Sequence, residues 1–214
     1  MDEHRSPRIY VVDDDSSVLI SLKRLLKSTG YDVTTFESPR EFLDSDIAVD
    51  APCCLVLDVM MPEMSGLDLQ QEIVSRGLPM PIIFITALYD IPASVSAMKK
   101  GAVDFLTKPF EEKDLLEAIR AALQKDQKRR SDSEELRNAL RLVNRLTPRE
   151  QEVLSHVIAG KLNKQIAFDL DISERTVKAH RSQIMFKLDV DSVAGLVRLS
   201  EKAGIQPAAS SVND

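Results

Sequence analysis

Five short runs rich in β-branched and other apolar residues recur through the first half of the chain: Arg8 to Val12, Asp32 to Phe36, Cys53 to Leu57, Pro81 to Thr86 and Asp104 to Thr107. Stretches of helical period separate them, such as Val18, Leu19, Leu22, Leu25 and Leu26. A strand that is apolar along its length must be covered on both faces, and strands that alternate with helices run parallel. The alternation predicts an α/β unit built on a five-stranded parallel sheet with helices on both sides. Ser38-Pro39-Arg40-Glu41 reads as a capping box with proline at the first helical position.

In such sheets ligands bind beyond the carboxyl ends of the strands. The first strand runs into Asp13, Asp14 and Asp15, the third into Asp58, the fourth into Thr86 and the fifth into Lys108. All of these groups land on one rim. Clustered carboxylates raise one another's pKa unless a cation sits among them, and oxygen ligands open to water suit Mg2+. Lys108 and Thr86 then offer a charge and a hydroxyl to an anion beside the metal. This set describes a phosphoryl-acceptor site with Asp58 as nucleophile, on a loop that Pro62 and Gly66 shape so as to leave Asp58 exposed. Asp15 alone reads as a turn former or helix cap.

Composition excludes several classes. The 214 residues are 43% hydrophobic and 29% charged, which suits a globular chain with a packed core. No apolar stretch approaches the roughly 20 residues of a membrane span, and the polar start MDEHRSPR is no signal peptide. The expectation is a soluble, cytoplasmic protein without membrane contact. Cys53 and Cys54 lack the further cysteines of a zinc site and read as reduced core residues. The net charge of −6 is uneven: residues 1–125 hold 13 Lys and Arg against 21 Asp and Glu, whereas residues 146–214 hold 9 of each. This asymmetry suggests two domains with different partners.

The motifs "VVDDD", "LVLDVMMPEMSG", "IIFITA" and "GAVDFLTKPF" resemble those of a response-regulator receiver, the flavodoxin-like, CheY-like fold, over residues 7–125. The resemblance implies that a sensor histidine kinase phosphorylates Asp58. Asp13, Asp14, Asp58 and the Met60 carbonyl would bind Mg2+, and Thr86 and Lys108 would contact the phosphoryl oxygens. Thr86 and Phe105 would form the switch, Phe105 turning inward as Thr86 moves toward the phosphate; on its own, Phe105 reads as a core strand residue. Met60 and Leu88, beside the site, are apolar and cannot orient a hydrolytic water, so a long-lived phosphorylated state is expected.

Residues 126–145 form a polar helical linker. There is neither Gly nor Pro from Phe110 to Thr147, and Leu115, Ile119, Ala122, Asp126, Arg129, Ser133, Leu136, Leu140 and Val143 keep alternating steps of four and three. The pattern fits one long helix with a weak polar seam, or two helices joined by a frayed hinge.

The next segment opens with Thr147-Pro148-Arg149-Glu150, a second capping box. A helix ending at Gly160, a short one from Asn163 to Leu170, a turn at Asp171-Ile172-Ser173 and a helix to about Leu188 make helix-turn-helix geometry. At 100° per residue Val177, Ile184 and Leu188 share one face, with His180 beside it; Arg175, Ala179, Ser182 and Phe186 point away. Arg181 falls nearer the inward face.

The run "LTPREQEVLSHVIAGKLNKQIAFDLDISERTVKAHRSQIMFKL" resembles the LuxR-type helix-turn-helix of NarL/FixJ response regulators. The resemblance implies a small all-α, four-helix DNA-binding domain over 146–204. Lys178, Ala179 and Ser182 would face bases in double-stranded DNA. Lys164, Arg175, Thr176 and His180 would face the backbone. A last helix, Ser192 to Ala203, would carry a dimer surface of Val193, Leu196 and Val197, residues that read equally as core. Residues 205–214 read as a disordered tail. The expected protein is a transcription factor, not an enzyme, that forms homodimers on phosphorylation. The alternative is an aspartate-nucleophile phosphohydrolase with an appended DNA-binding module. Such enzymes place a second Asp two residues after the nucleophile, and here that residue is Met60.

Overall fold

A computed structural model describes residues 6–87 and 101–209. Leu88, expected beside the phosphoryl site, lies outside the described residues. The strands are β1 (Arg8–Val12), β2 (Asp32–Phe36), β3 (Cys53–Asp58), β4 (Ile82–Thr86) and β5 (Asp104–Thr107). They form a single parallel sheet in the order β2-β1-β3-β4-β5. The order reverses direction between β1 and β3, so the loops after these two strands part and leave a crevice at the rim.

Alternation along each strand divides the core. Tyr10, Val12, Leu55 and Leu57 face one layer with Phe36, Phe42, Leu69 and Ile73. Ile9, Val11, Cys54 and Val56 face the other, with Leu19, Leu22 and Leu26 of α1 (Ser16–Ser28) and Leu115, Ile119 and Ala122 of α4 (Glu112–Val143). The helices on the first face are α2 (Pro39–Asp44) and α3 (Gly66–Ser75). Burying a Leu or Val side chain stabilises by about 1.5–3 kcal/mol, and every residue of β3 is buried, so this strand is the centre of the unit.

Local signals fix the helix starts. Asp15 caps α1 by accepting the Ser17 N–H at 2.8 Å, as a turn residue should. The box expected at Ser38 forms by half. Ser38 Oγ accepts from the Glu41 N–H at 3.1 Å, but the Glu41 carboxylate reaches past Ser38 to the Glu37 N–H at 2.7 Å. A full box appears instead at Ser65 and Asp68, ahead of α3.

The chain divides into two compact units, Met1–Arg130 and Ser131–Asp214, and the division falls inside α4. This helix is continuous over 32 residues, which resolves the choice between one helix and two. Within its polar middle Asp126 is fully buried, whereas Leu136 and Leu140 farther along the stripe are 44% and 41% exposed.

Among the described residues the second unit holds four further helices, α5 (Pro148–Ile158), α6 (Asn163–Asp169), α7 (Glu174–Lys187) and α8 (Val193–Lys202). Val153, Leu154, Ile166, Val177, Ile184, Leu188 and Leu196 form its core. The capping box at Thr147 and Glu150 is complete. Glu150 does more than cap: its two carboxylate oxygens accept from Lys187 Nζ at 2.8 and 2.6 Å, tying the start of α5 to the end of α7. The tail begins ordered, with Ile205 against the core and the Ala208 N–H donating to the Ser155 carbonyl at 3.0 Å. These two contacts correct the expectation of disorder from residue 205 on.

Candidate functional sites: an acidic rim and a helix-turn-helix

Three strand ends meet at one cation. Lys108, just after β5, places Nζ 2.6 Å from Asp13 Oδ2 and 2.8 Å from Asp58 Oδ1. Asp13 follows β1 and Asp58 ends β3, so the crevice at the strand-order reversal brings them together. The Lys108 N–H donates to the Thr86 carbonyl at 2.7 Å, which fixes the loop beside β4. Asp58 Oδ2 accepts from the Met60 N–H at 2.6 Å, and Asp13 Oδ1 from the Asp15 N–H at 2.9 Å.

Asp58 is not exposed as expected; it is 4% accessible, and Thr86 is buried beside it. Lys108 Nζ and the Met60 N–H cover the two Asp58 carboxylate oxygens, and the start of α3 packs on the loop that follows. The Gly66 N–H donates to the Val59 carbonyl at 2.9 Å, and the helix start closes over the loop. Burial pushes the Asp58 carboxyl above its usual range, Lys108 pulls it back, and the charge of Asp13 adds to the rise. For Lys108, burial disfavours the ammonium but the two carboxylates outweigh it and raise its pKa. Asp14 and Met60 are exposed at the mouth.

The donor set is all oxygen, which fits a hard divalent cation. Among the described residues no three His, Cys, Asp or Glu side chains converge on one point. An ion there would complete its shell from a carbonyl and water. Phe105 is half-buried on β5, its ring 6.2 Å from that of Phe84.

In the second unit α6 and α7 are joined by a turn at which Asp171 adopts φ 52°. Ser173 caps α7 by accepting the Thr176 N–H at 3.1 Å, and its hydroxyl lies 2.8 Å from that of Thr176. Lys164, Arg175, Thr176, Lys178, Ala179 and Ser182 are exposed, and His180 is half-buried against the core face. Arg181 donates to Asn163 Oδ1 at 3.1 Å, so this cation braces α7 against the start of α6. Arg149 adds a second brace through the Leu170 carbonyl. Leu196, expected on a dimer surface, is 1% exposed and packs in the core, so that assignment is withdrawn; Val193 is exposed and Val197 half-exposed. Sequence reasoning missed Asp126 and the Glu150–Lys187 link, because neither spacing brings those pairs together before the fold is known.

A doubly covered parallel sheet with two acidic strand ends and a lysine, followed by a helical unit with helix-turn-helix geometry, defines a signal receiver joined to a DNA-binding module. Residues 9–120 match the family described as response regulator receiver domain, and residues 144–200 match the bacterial regulatory proteins, luxR family. Response regulator protein TodT of Pseudomonas putida is 49% identical over 198 residues, 92% of this chain and 87% of that one. Nodulation protein W of Bradyrhizobium diazoefficiens is 47% identical over 197 residues, with 92% and 86% covered. Among solved structures, the response regulator StyR superposes with TM-score 0.83 at 48% identity, covering 92% of this chain and all of that one. Full-length FixJ from B. japonicum gives 0.56 at 38%, covering 92% and 97%. The chain belongs to the two-component response regulators of the NarL/FixJ family, transcriptional regulators that join a receiver to a LuxR-type helix-turn-helix. No described helix is long and apolar enough to cross a membrane.

Proposed function

We propose that Asp58 accepts a phosphoryl group from a partner histidine kinase and that this converts the chain into a dimeric DNA-binding form. The observation that carries the reading is the single ammonium of Lys108 held between two buried carboxylates, Asp13 and Asp58, at the rim of the sheet. An Asp58 oxygen forms the new bond to phosphorus as the bond from phosphorus to the kinase imidazole breaks, and the leaving nitrogen takes the electron pair. Asp13, Asp14, Asp58 and the Met60 carbonyl would hold Mg2+, some of them through water, since the three carboxylates do not converge on one point. Bound there, the ion supplies neutralising charge to the phosphoryl oxygens.

The chain's own groups do the rest. Lys108 transfers its ammonium from Asp58 to a phosphoryl oxygen and stays paired to Asp13. The Thr86 hydroxyl turns to a second oxygen, and Phe105 moves from its half-buried position into the space Thr86 vacates. The exposed, apolar Met60 gives an attacking water no orientation, so the phosphorylated state is long-lived. The receiver comprises residues 7–125, the linker 126–145 and the DNA-binding domain 146–204, in a cytoplasmic protein. Lys178, Ala179 and Ser182 read bases; Lys164, Arg175, Thr176 and His180 hold the DNA backbone; Val193 and Val197 contribute to the dimer contact. Met60 supports the reading as a switch over the aspartate-nucleophile phosphohydrolase, because it stands where such enzymes place a second Asp.

The test is intact-mass analysis of wild type and Asp58→Ala after incubation with a small acyl-phosphate donor and Mg2+, beside size-exclusion chromatography. The expected result is one phosphoryl group and a shift to dimer in wild type alone. Modification of both proteins, or of neither, rejects Asp58 as the acceptor.

A further inference from the structure

The end of the sheet opposite the acidic rim carries a second charged cluster. Asp126 of α4 is fully buried, and its Oδ2 accepts the N–H of Cys53, the first residue of β3, at 3.1 Å. The same oxygen accepts from Arg130 Nε at 2.6 Å. Oδ1 accepts from Arg129 Nη2 at 2.6 Å and Nε at 3.2 Å. Arg130 Nη2 also lies 3.8 Å from Cys53 Sγ.

A carboxylate removed from water is tolerated only when paired, and a buried amide N–H needs an acceptor. Asp126 meets both demands at once. Two consecutive arginines are thereby drawn onto the receiver at the last residues of its compact unit, and the helix continues from there to Val143. Surface ion pairs one turn apart on a helix contribute little. This cluster differs because its acid is wholly buried and is bonded to another element.

β3 connects the two charged ends. Its first residue bonds to Asp126 and its last is Asp58, with every residue between them fully buried. We propose that Asp126 is a positioning residue that clamps α4 to the base of β3, so that a change of state at Asp58 reaches the helix beyond Arg130 through this strand. The coupling rests on the reading of Asp58 as phosphoryl acceptor; the clamp does not.

The experiment uses the full chain as wild type, Asp126→Asn and Arg130→Gln. Amide hydrogen exchange is followed by mass spectrometry over peptides covering residues 53–58 and 126–143, before and after incubation with a small acyl-phosphate donor and Mg2+. Before the donor, Asp126→Asn should speed exchange at residues 126–135 roughly tenfold while the rest of the receiver stays protected. Arg130→Gln, on a partly exposed side chain, should do so more weakly and guards against a misfolded first variant. After the donor all three proteins should gain one phosphoryl group, and protection over 131–143 should change most in wild type, less in Arg130→Gln and not in Asp126→Asn. Equal protection of all three before the donor overturns the clamp. An equal change over 131–143 in all three after phosphorylation overturns the coupling alone. If wild type takes no phosphoryl group, the acceptor reading falls and the coupling with it, while the comparison before the donor still decides the clamp.

Discussion

A Cβ added to Gly66 would lie 2.1 Å from the carbonyl oxygen of Asp58 and 3.1 Å from its carbonyl carbon. The start of α3 thus packs directly on the backbone of the residue that ends β3. Neither backbone segment can yield without disturbing the sheet. Gly66→Ala should destabilise the receiver by about 3 kcal/mol, the upper part of the range for overpacking a buried site. Urea unfolding checks this, and a change under about 0.5 kcal/mol, the size of a neutral surface substitution, contradicts it.

Glu150 is buried at the start of α5, and Lys187 faces it from α7. Burial disfavours its charge, but Lys187 and the Thr147 groups win and hold the carboxyl below its ordinary value of 4.5. The link should contribute full stability above that value and lose it as pH falls through the lower folded pKa. Because the Lys187 side chain is partly exposed, Glu150→Ala should cost about 2 kcal/mol near neutral pH, less than a fully buried pair. The signature in thermal melts is a difference between wild type and variant that shrinks in acid.

His156 behaves oppositely to a histidine that gains a partner. Its Nδ1 is buried without a hydrogen bond, 3.5 Å from Asp169 Oδ2, and Lys161 Nζ sits 2.7 Å from that same oxygen. Burial and then Lys161 lower its pKa below the ordinary 6.5, against the pull of Asp169 and Glu152. The unfolded chain therefore binds the proton first, so stability is full above pH 6.5 and declines as pH falls toward the folded value. Melting temperatures at pH 8 and pH 5 should converge when His156→Leu is compared with wild type, because the variant lacks this part of the decline. Parallel pH profiles would reject the assignment.

Lys164 and Lys178 should separate in their effects on DNA. Lys164→Ala should weaken binding to any duplex alike and reduce the salt slope by about one. Lys178→Ala should weaken a selected operator more than a random duplex, by about 1–3 kcal/mol if it reads a base edge. Fluorescence anisotropy at several salt concentrations distinguishes the two.

Asp13, Asp58, Thr86 and Lys108 were legible in the sequence because parallel strands deliver their carboxyl ends to one rim. The helix-turn-helix was legible because Val177, Ile184 and Leu188 repeat at helical spacing. Other residues depended on partners that spacing does not reveal. Asp126 occupies a position in the four-three pattern that looks like a break in an apolar stripe, and only the nearness of Cys53 and two arginines makes it an interior residue. Leu196 shares a helix with Val193, yet the packing of α8 on the core turns one inward and leaves the other exposed. Phe186, placed outward by its helical spacing, is 82% exposed, whereas Phe168, at 87% exposure, follows no burial pattern; neither has a ring partner among the described residues.

The uninterrupted course of α4 makes it a screw as well as a spacer. Each residue inserted between Arg130 and Val143 would advance the helix beyond the insertion by about 1.5 Å and turn it by about 100°. Two residues would leave the chain little longer but face its remainder nearly the other way, whereas seven would restore the original setting to within about 20°. In relatives that keep this helix whole, length changes should come in helical repeats, because reach and angular setting cannot be varied separately.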